Sequence, residues 1–247
     1  MIRDLLAAHR PLGRLARAPF KLLPKRLPLP ILSGINRGYL WMVGAGIHAC
    51  WLGTYEQEKL RYVASIVRPG MTVFDVGAHA GFYTLAFARL VGPQGKVIAF
   101  EPNPTNVANL KRHMQLNRVK NVEIIQAAVS DRVGTAFFAL GDTADARDRH
   151  YMGALSESGF PVSRVRLDDY GEPSMIKMDI EGGEGPALLG AKQILARQEA
   201  HILIALHGIS DEQCVQELRR HAYQVSYLSH DEIHAQPSMP DTRLTLG

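Results

Sequence analysis

The chain predicts an α/β fold: a mostly parallel, Rossmann-like sheet with helices covering both faces. Two observations carry this. From residue 56 onward, short apolar runs alternate with segments whose apolar residues fall at helical spacing. One of those runs, Met71-Thr72-Val73-Phe74, ends in Asp75-Val76-Gly77-Ala78-His79-Ala80-Gly81, and Phe82 to Ala88 follow at helical spacing. A strand that ends in an acid, turns through glycines and opens a helix is the entry to a nucleotide-binding sheet.

In chain order, Glu56 to Val67 reads as a helix with Leu60, Val63, Ile66 and Val67 on one face, stopped by Arg68-Pro69-Gly70. The first strand and a helix from Gly81 to about Val91 follow, ended by Gly92-Pro93. Strand two spans 96–101, a helix runs from about Thr105 to Asn117, and Asn121 to Val129 gives a third strand. Thr135 to Leu140 is a short β run. Residues 141–161 are polar, lack a period, and form a candidate substrate lid. Val162 to Leu167 reads as an edge strand, Ser174 to Met178 as strand four, and Pro186 to Arg197 as a helix. A strand at 201–206, a helix at 211–221, a strand at 223–228 and a last strand near Arg243–Leu246 complete the pattern.

The glycine spacing discriminates between nucleotides. A dinucleotide fingerprint counted from Gly77 requires glycine at 79 and 82, where the chain has His79 and Phe82. The middle glycine lets backbone approach a pyrophosphate, so a side chain there argues against NAD or FAD. A carboxylate at the strand tip repels phosphate and attracts a cationic amino acid. S-adenosylmethionine, with an ammonium, a sulfonium and no phosphate, fits. Strand two ends in Glu101-Pro102-Asn103-Pro104, and an acid about 20 residues beyond the glycine turn is placed to hold a ribose diol. The bland alternative is that Glu101 caps the helix beginning near Thr105. The expected cofactor-binding set here is Asp75, Gly77, Ala78, His79, Gly81, Glu101 and Asn103.

At 247 residues, one α/β domain with an appendage is the natural organisation. Residues 1–37 form a basic N-terminal arm, and 38–247 the catalytic domain with a lead-in at 38–70. The arm holds Arg3, Arg10, Arg14, Arg17, Lys21, Lys25, Arg26 and Arg37 against Asp4 alone, so the remainder of this +4 chain is net acidic. No nucleic-acid-binding stripe is evident in that remainder. Leucines interleaved with the basic residues suit peripheral contact with an anionic membrane or an acidic partner; prolines 11, 19, 24, 28 and 30 suit a loosely ordered tail instead. No secretory signal or spanning segment is expected, since residues 38–55 carry His48 and four glycines. Cys50 and Cys214 lack metal spacing and read as free thiols in a reducing, cytoplasmic compartment.

Ligands of open parallel sheets lie beyond the carboxyl ends of the strands. Strand four ends in Asp179-Ile180-Glu181-Gly182-Gly183-Glu184, and strand five in His207-Gly208. Asp75, Glu101, Asp179 and His207 are therefore expected on one rim. Methyl transfer from a sulfonium is an in-line displacement dominated by alignment. A hydroxyl acceptor also has to lose its proton, and His207, with an ordinary pKa of about 6.5, is a natural general base. Asp179 is a second candidate base, an orienter of His207, or a holder of the cofactor's ammonium. Asp179 with Glu181 is also a candidate pair for a divalent ion, although a metal is not expected. Glu181 and Glu184 have a bland reading as acids placed before the positive end of a helix.

Four segments in order, Trp51-Leu52-Gly53-Thr54-Tyr55-Glu56, Phe74 to Ala78, Ala99 to Pro104 and Ile176 to Gly182, resemble the FkbM-type S-adenosylmethionine-dependent methyltransferases across roughly residues 51–208. The resemblance implies a class I methyltransferase sheet of seven strands with the last antiparallel. It also implies O-methylation of natural products, sugars or glycans. It places Tyr55 and Glu56 against the cofactor and Ala127-Ala128 beside adenine. The chain departs from the pattern at His79, where many members have asparagine, and at Ala205, where many have an acid two residues before the histidine. The loss at 205 removes a carboxylate that could orient His207. The expected partner is a small-molecule or glycan acceptor rather than nucleic acid. A non-catalytic scaffold of the same fold is the alternative, with an NAD-dependent oxidoreductase third.

Overall fold

A computed structural model of the chain describes residues 24, 26–140, 153–208 and 211–238. Most of the basic arm, residues 141–152 of the expected lid and the strand expected near 243–246 lie outside the described residues. The chain divides into two compact units, the first ending at Tyr55 and the second beginning at Glu56. In the first, β1 (Pro28–Pro30) pairs antiparallel with β2 (Leu40–Met42), placing Leu29 opposite Trp41. A short helix, α1 (His48–Leu52), follows.

The second unit opens with α2 (Gln57–Ile66), β3 (Thr72–Val76), α3 (Phe82–Val91), β4 (Lys96–Phe100), α4 (Pro104–Leu116) and β5 (Val122–Ile125). It continues with β6 (Ala128–Val129), β7 (Gly134–Leu140), β8 (Gly153–Ser156), β9 (Phe160–Val165) and β10 (Met175–Met178). Then come α5 (Glu184–Leu189), α6 (Lys192–Arg197), β11 (His201–Ala205), α7 (Asp211–Arg220), β12 (Gln224–Tyr227) and β13 (Glu232–Gln236). The main sheet has the order β12-β13-β11-β10-β3-β4-β5. Its pairings make β13, the last strand described, the antiparallel one among parallel neighbours. This is the seven-stranded sheet the sequence implied. Among the described residues, no helix is long and apolar enough to cross a membrane.

One face of the sheet buries Phe74, Phe100, Ile176, Met178 and Ile202 against Leu188, Leu195 and Leu218 of the helices. Phe74 and Phe100 meet edge-on, and Phe100 meets Tyr170 in the same way, contacts that add to simple area burial. Because parallel partners in register point to the same face, Asp75 and its partner Lys177 both project to the opposite side.

Four expectations are corrected. The run 121–129 is not one strand: it breaks at Gln126-Ala127, and β6 leaves to pair with β9 in a second sheet of order β6-β9-β7-β8. In that sheet β9 is interior, paired on both sides, and not an edge. The helix expected over 186–197 is two helices separated at Gly190, where a Cβ would collide with the carbonyl oxygen of Ser130. Strand β13 has no counterpart in the sequence reading; its Glu232 and His234 interrupt the apolar pattern and are buried by forming polar contacts of their own.

Candidate active site

The glycine turn is built around close approaches. Gly77 adopts φ 77°, and a Cβ there would run into the carbonyl oxygen of Asp179. The N–H groups of Gly77 and Ala78 both donate to the Phe100 carbonyl at 3.0 Å, tying the turn to β4. His79 sits in the left-handed region at φ 50°. Asparagine and histidine tolerate that region better than most residues, which is a physical reason for either to occupy this position.

Glu101, just beyond β4, is almost wholly buried and accepts from the backbone N–H of His79 at 2.8 Å. It also accepts from the N–H of Asn103 at 2.9 Å and from Asn106 Nδ2 at 3.2 Å. Burial nevertheless lifts its pKa to about 7 against the pull of these donors. Asn103 is also the cap of α4, its Oδ1 accepting from Thr105 N–H at 2.9 Å, with Pro104 at the first helical position. The cap reading offered for Glu101 therefore belongs to Asn103. Ala127 and Ala128 are buried just past the end of β5, whose Ile125 carbonyl accepts from Glu101 N–H at 3.1 Å.

Asp75 is fully buried beneath the turn. Its Oδ2 accepts from the Thr84 hydroxyl at 2.6 Å, while Oδ1 has no hydrogen-bond donor and lies 3.8 Å from Lys177 Nζ. Burial raises its pKa, and Lys177 and then Thr84 draw it back. So it is not an open acid at the strand tip but one half of a buried pair. Lys177 Nζ also donates to the Gly77 carbonyl at 3.3 Å and lies 3.7 Å from Asp179 Oδ2 and 5.1 Å from the centre of the Tyr83 ring. Burial disfavours its charge, but Asp179, Asp75 and Glu56 outweigh burial and raise its pKa. Glu56 is drawn into this group through Tyr83, whose hydroxyl donates to Glu56 Oε2 at 2.6 Å. Tyr55 is the last residue of the first unit.

Asp179 reaches both ways. Its Oδ2 faces Lys177, and its Oδ1 lies 3.5 Å from His207 Nε2. Glu181 Oε2 is 3.8 Å from the same nitrogen. On the other side of the ring, His207 Nδ1 lies 3.0 Å from Oε1 of Glu184, a fully buried carboxylate that also accepts from Ile180 N–H at 3.1 Å. The hydrogen bond to Glu184, with Asp179 and Glu181 assisting, raises His207 to about 9 against partial desolvation. The ordinary value near 6.5 expected from sequence is therefore displaced upward. One donor atom each from Asp179, Glu181 and His207 lies within 4.8 Å of the others, a spacing a divalent ion could span. The same three side chains, with Glu184 on the far nitrogen, also suit holding a proton on the imidazole.

Sequence reasoning named Asp75, Glu101, Asp179, Glu181 and His207, and the fold gathers them at the carboxyl ends of the strands. It missed Lys177, Thr84, Tyr83 and Asn106, and gave Glu184 only a helix-end role. Lys177 had a readable signal: central parallel strands are nearly all apolar, so a lysine inside one calls for a buried partner.

The sheet order and the acid-tipped strands define a class I methyltransferase fold. The FkbM methyltransferase domain matches residues 75–235, and the chain belongs to that family. It is 46% identical over 164 residues to the 31-O-demethyl-FK506 methyltransferase FkbM of Streptomyces tacrolimicus, covering 59% of this chain and 62% of that protein. With protein-L-isoaspartate O-methyltransferase 1 of Arabidopsis thaliana it shares 34% identity over 111 residues, 44% of this chain and 41% of that one. The chain thus spans less than two thirds of these relatives' lengths. Among solved structures, methyltransferase FkbM from Methylobacillus flagellatus KT superposes with a TM-score of 0.51 at 16% identity, covering 77% of this chain and 55% of the other. That likeness speaks to the fold.

The residues present fit S-adenosylmethionine. A side chain at His79, where close approach of a pyrophosphate would need glycine, and a carboxylate at Glu101 suited to a diol both match that ligand.

Proposed function

We propose that the protein methylates a hydroxyl group on a sugar-containing, glycan or lipid-linked natural product, using S-adenosylmethionine. When bound, that compound supplies an electrophilic methyl group. Glu101 would hold the ribose, the turn from Gly77 to Gly81 would line the cofactor, and Asp179 would face its cationic end. The observation that carries the reading is the His207 cluster. Nε2 is flanked by Asp179 and Glu181, so a hydroxyl seated there can give up its proton to the neutral imidazole, the form that grows in as pH rises toward 9, while both acids stabilise the imidazolium that results. The raised proton affinity brings the base closer to the alcohol it deprotonates and places its working range on the alkaline side of neutrality.

The relative from Streptomyces tacrolimicus is named for an O-methyl transfer, which supports the same class of acceptor here. The scaffold alternative drew on Ala205. The contact of Glu184 with His207 weighs against it, because the imidazole has a carboxylate partner after all.

The test is transfer of isotopically labelled methyl from S-adenosylmethionine to a panel of hydroxyl-bearing sugars, glycolipids and macrolides. Transfer should fall to a small residual rate in His207→Asn and be less severely reduced in Asp179→Asn, with cofactor binding retained in His207→Asn. Tight cofactor binding with no labelled product across the panel, from protein whose site is intact, would favour the scaffold.

A further inference from the structure

Glu184 has a burial that its bland role at a helix start does not explain. It opens α5, yet its side chain is fully buried, and its Oε1 serves two donors while Oε2 meets none. A charged side chain is rarely buried unless it is paired. The partners are the Ile180 N–H, which fixes the turn after β10, and Nδ1 of His207, which begins the loop after β11. The carboxylate therefore ties together the two strand ends that carry the site.

We infer that Glu184 is the positioning residue for His207, holding the ring through Nδ1–H so that Nε2 faces Asp179 and Glu181, and so supplying the carboxylate that position 205 lacks. This deepens the reading of the site as a hydroxyl methyltransferase and rests on it. An ionised carboxylate can only accept, so in the neutral ring the proton must reside on Nδ1 and the lone pair on Nε2. This is the division of labour found wherever an acid orients a histidine base: one nitrogen is held, the other works.

The alternative carboxylates are accounted for. Asp179 and Glu181, on the turn after β10, approach Nε2 and not Nδ1. Glu232, which stands opposite Ala205 in the β11–β13 register, is paired with Lys59 at 3.2 Å. Lys177 reaches the imidazole only through Asp179. Position 205 can be alanine because the acid arrives from another strand-to-helix turn.

The experiment is nitrogen-15 NMR of the histidine side chains in the full chain, with His207 assigned by its disappearance in His207→Asn. In the unaltered protein the neutral ring should carry its proton on Nδ1. In Glu184→Gln the imidazole titration should move to lower pH by about one unit or more. With an acceptor in hand, Glu184→Gln should lower kcat on the order of tenfold or more, leave KM for S-adenosylmethionine unchanged, and move the rising limb of the pH–rate profile downward. Glu184→Gln combined with His207→Asn should be no slower than His207→Asn alone. A neutral ring protonated on Nε2 in the unaltered protein would overturn the assignment without any variant having to fold. So would a titration insensitive to Glu184→Gln, or additive losses in the pair. A titration that moves as expected in a protein transferring no methyl would uphold the role of Glu184 and sink the methylation reading instead.

Discussion

Lys177 Nζ lies 3.7 Å from Asp179 Oδ2, on the side of that carboxylate away from His207. The acid therefore faces a permanent cation on one side and the imidazole on the other. On its far side Lys177 meets Asp75, which is fully buried and has few other means of holding a charge. Replacing Lys177 with methionine keeps the side-chain bulk but leaves Asp75 unpaired in the interior. We expect Lys177→Met to cost about 3–5 kcal/mol of stability, measured by urea unfolding. Lys177→Met with Asp75→Asn should recover much of that loss, because no buried charge remains. Failure of the second change to restore stability would mean that packing, not charge balance, is what Lys177 supplies.

The glycine turn yields a paired comparison. Gly77 and Gly70 both have φ in the left-handed region, at 77° and 85°, but only at Gly77 would a Cβ strike backbone, at Asp179. Gly70→Ala should cost only about 1–2 kcal/mol, the ordinary penalty of that conformation. Gly77→Ala should separate the turn from Asp179 and abolish cofactor binding by calorimetry, with a larger fall in melting temperature. Equal effects from the two would show that conformational strain, not the close approach, governs the turn.

Much of this architecture is legible in the sequence, for identifiable reasons. Strands β3, β4, β10 and β11 are short apolar runs bounded by turns, and periodicity finds them. Acids at strand ends need no contact information to be noticed, so Asp75, Glu101 and Asp179 stand out. What stays hidden depends on pairing between distant segments. β13 carries Glu232 and His234 in its buried stretch, so its pattern is not that of a core strand until Lys59 and Tyr62 arrive to meet them. At the break, Gly190 lies so close to the backbone of Ser130, some 60 residues away, that a Cβ would collide with it, and no local signal reports that approach. Glu184 reads as an ordinary helix-start acid until the end of β11 brings His207 against it.

Glu101 links cofactor binding to pH. Its folded pKa is raised from 4.5 to about 7, so below neutrality much of the free site carries a protonated carboxyl. A ribose diol donates hydrogen bonds and prefers an ionised acceptor. Affinity for S-adenosylmethionine should therefore tighten as pH rises from 6 to 8. The stability sign is opposite: a raised carboxyl favours folding at low pH, and that contribution is lost as pH climbs from 4.5 through 7. Isothermal titration across this range should show the rise in affinity in the unaltered protein. In Glu101→Gln, affinity should be weaker and flat with pH. A pH dependence that survives in Glu101→Gln would assign it to another group.

His113 is buried, and its Nδ1–H donates to the Ala80 carbonyl at 2.7 Å, bracing the loop that carries His79. Burial lowers its pKa to about 4, and it does the same at His79 and His234. For a histidine depressed below its unfolded value of 6.5, the unfolded chain takes up the proton first as pH falls. Stability is therefore full above 6.5 and declines between 6.5 and 4, by roughly 1.4 kcal/mol per pH unit for each such group. The melting temperature should thus drop steeply between pH 6.5 and 4.5, against the opposing trend from Glu101. His113→Gln retains a side-chain amide donor but cannot take up a proton. It should start less stable at pH 7.5 and lose less on acidification, so the two melting curves converge toward pH 5. Parallel curves over that interval would mean that His113 does not contribute to the acid sensitivity of the fold.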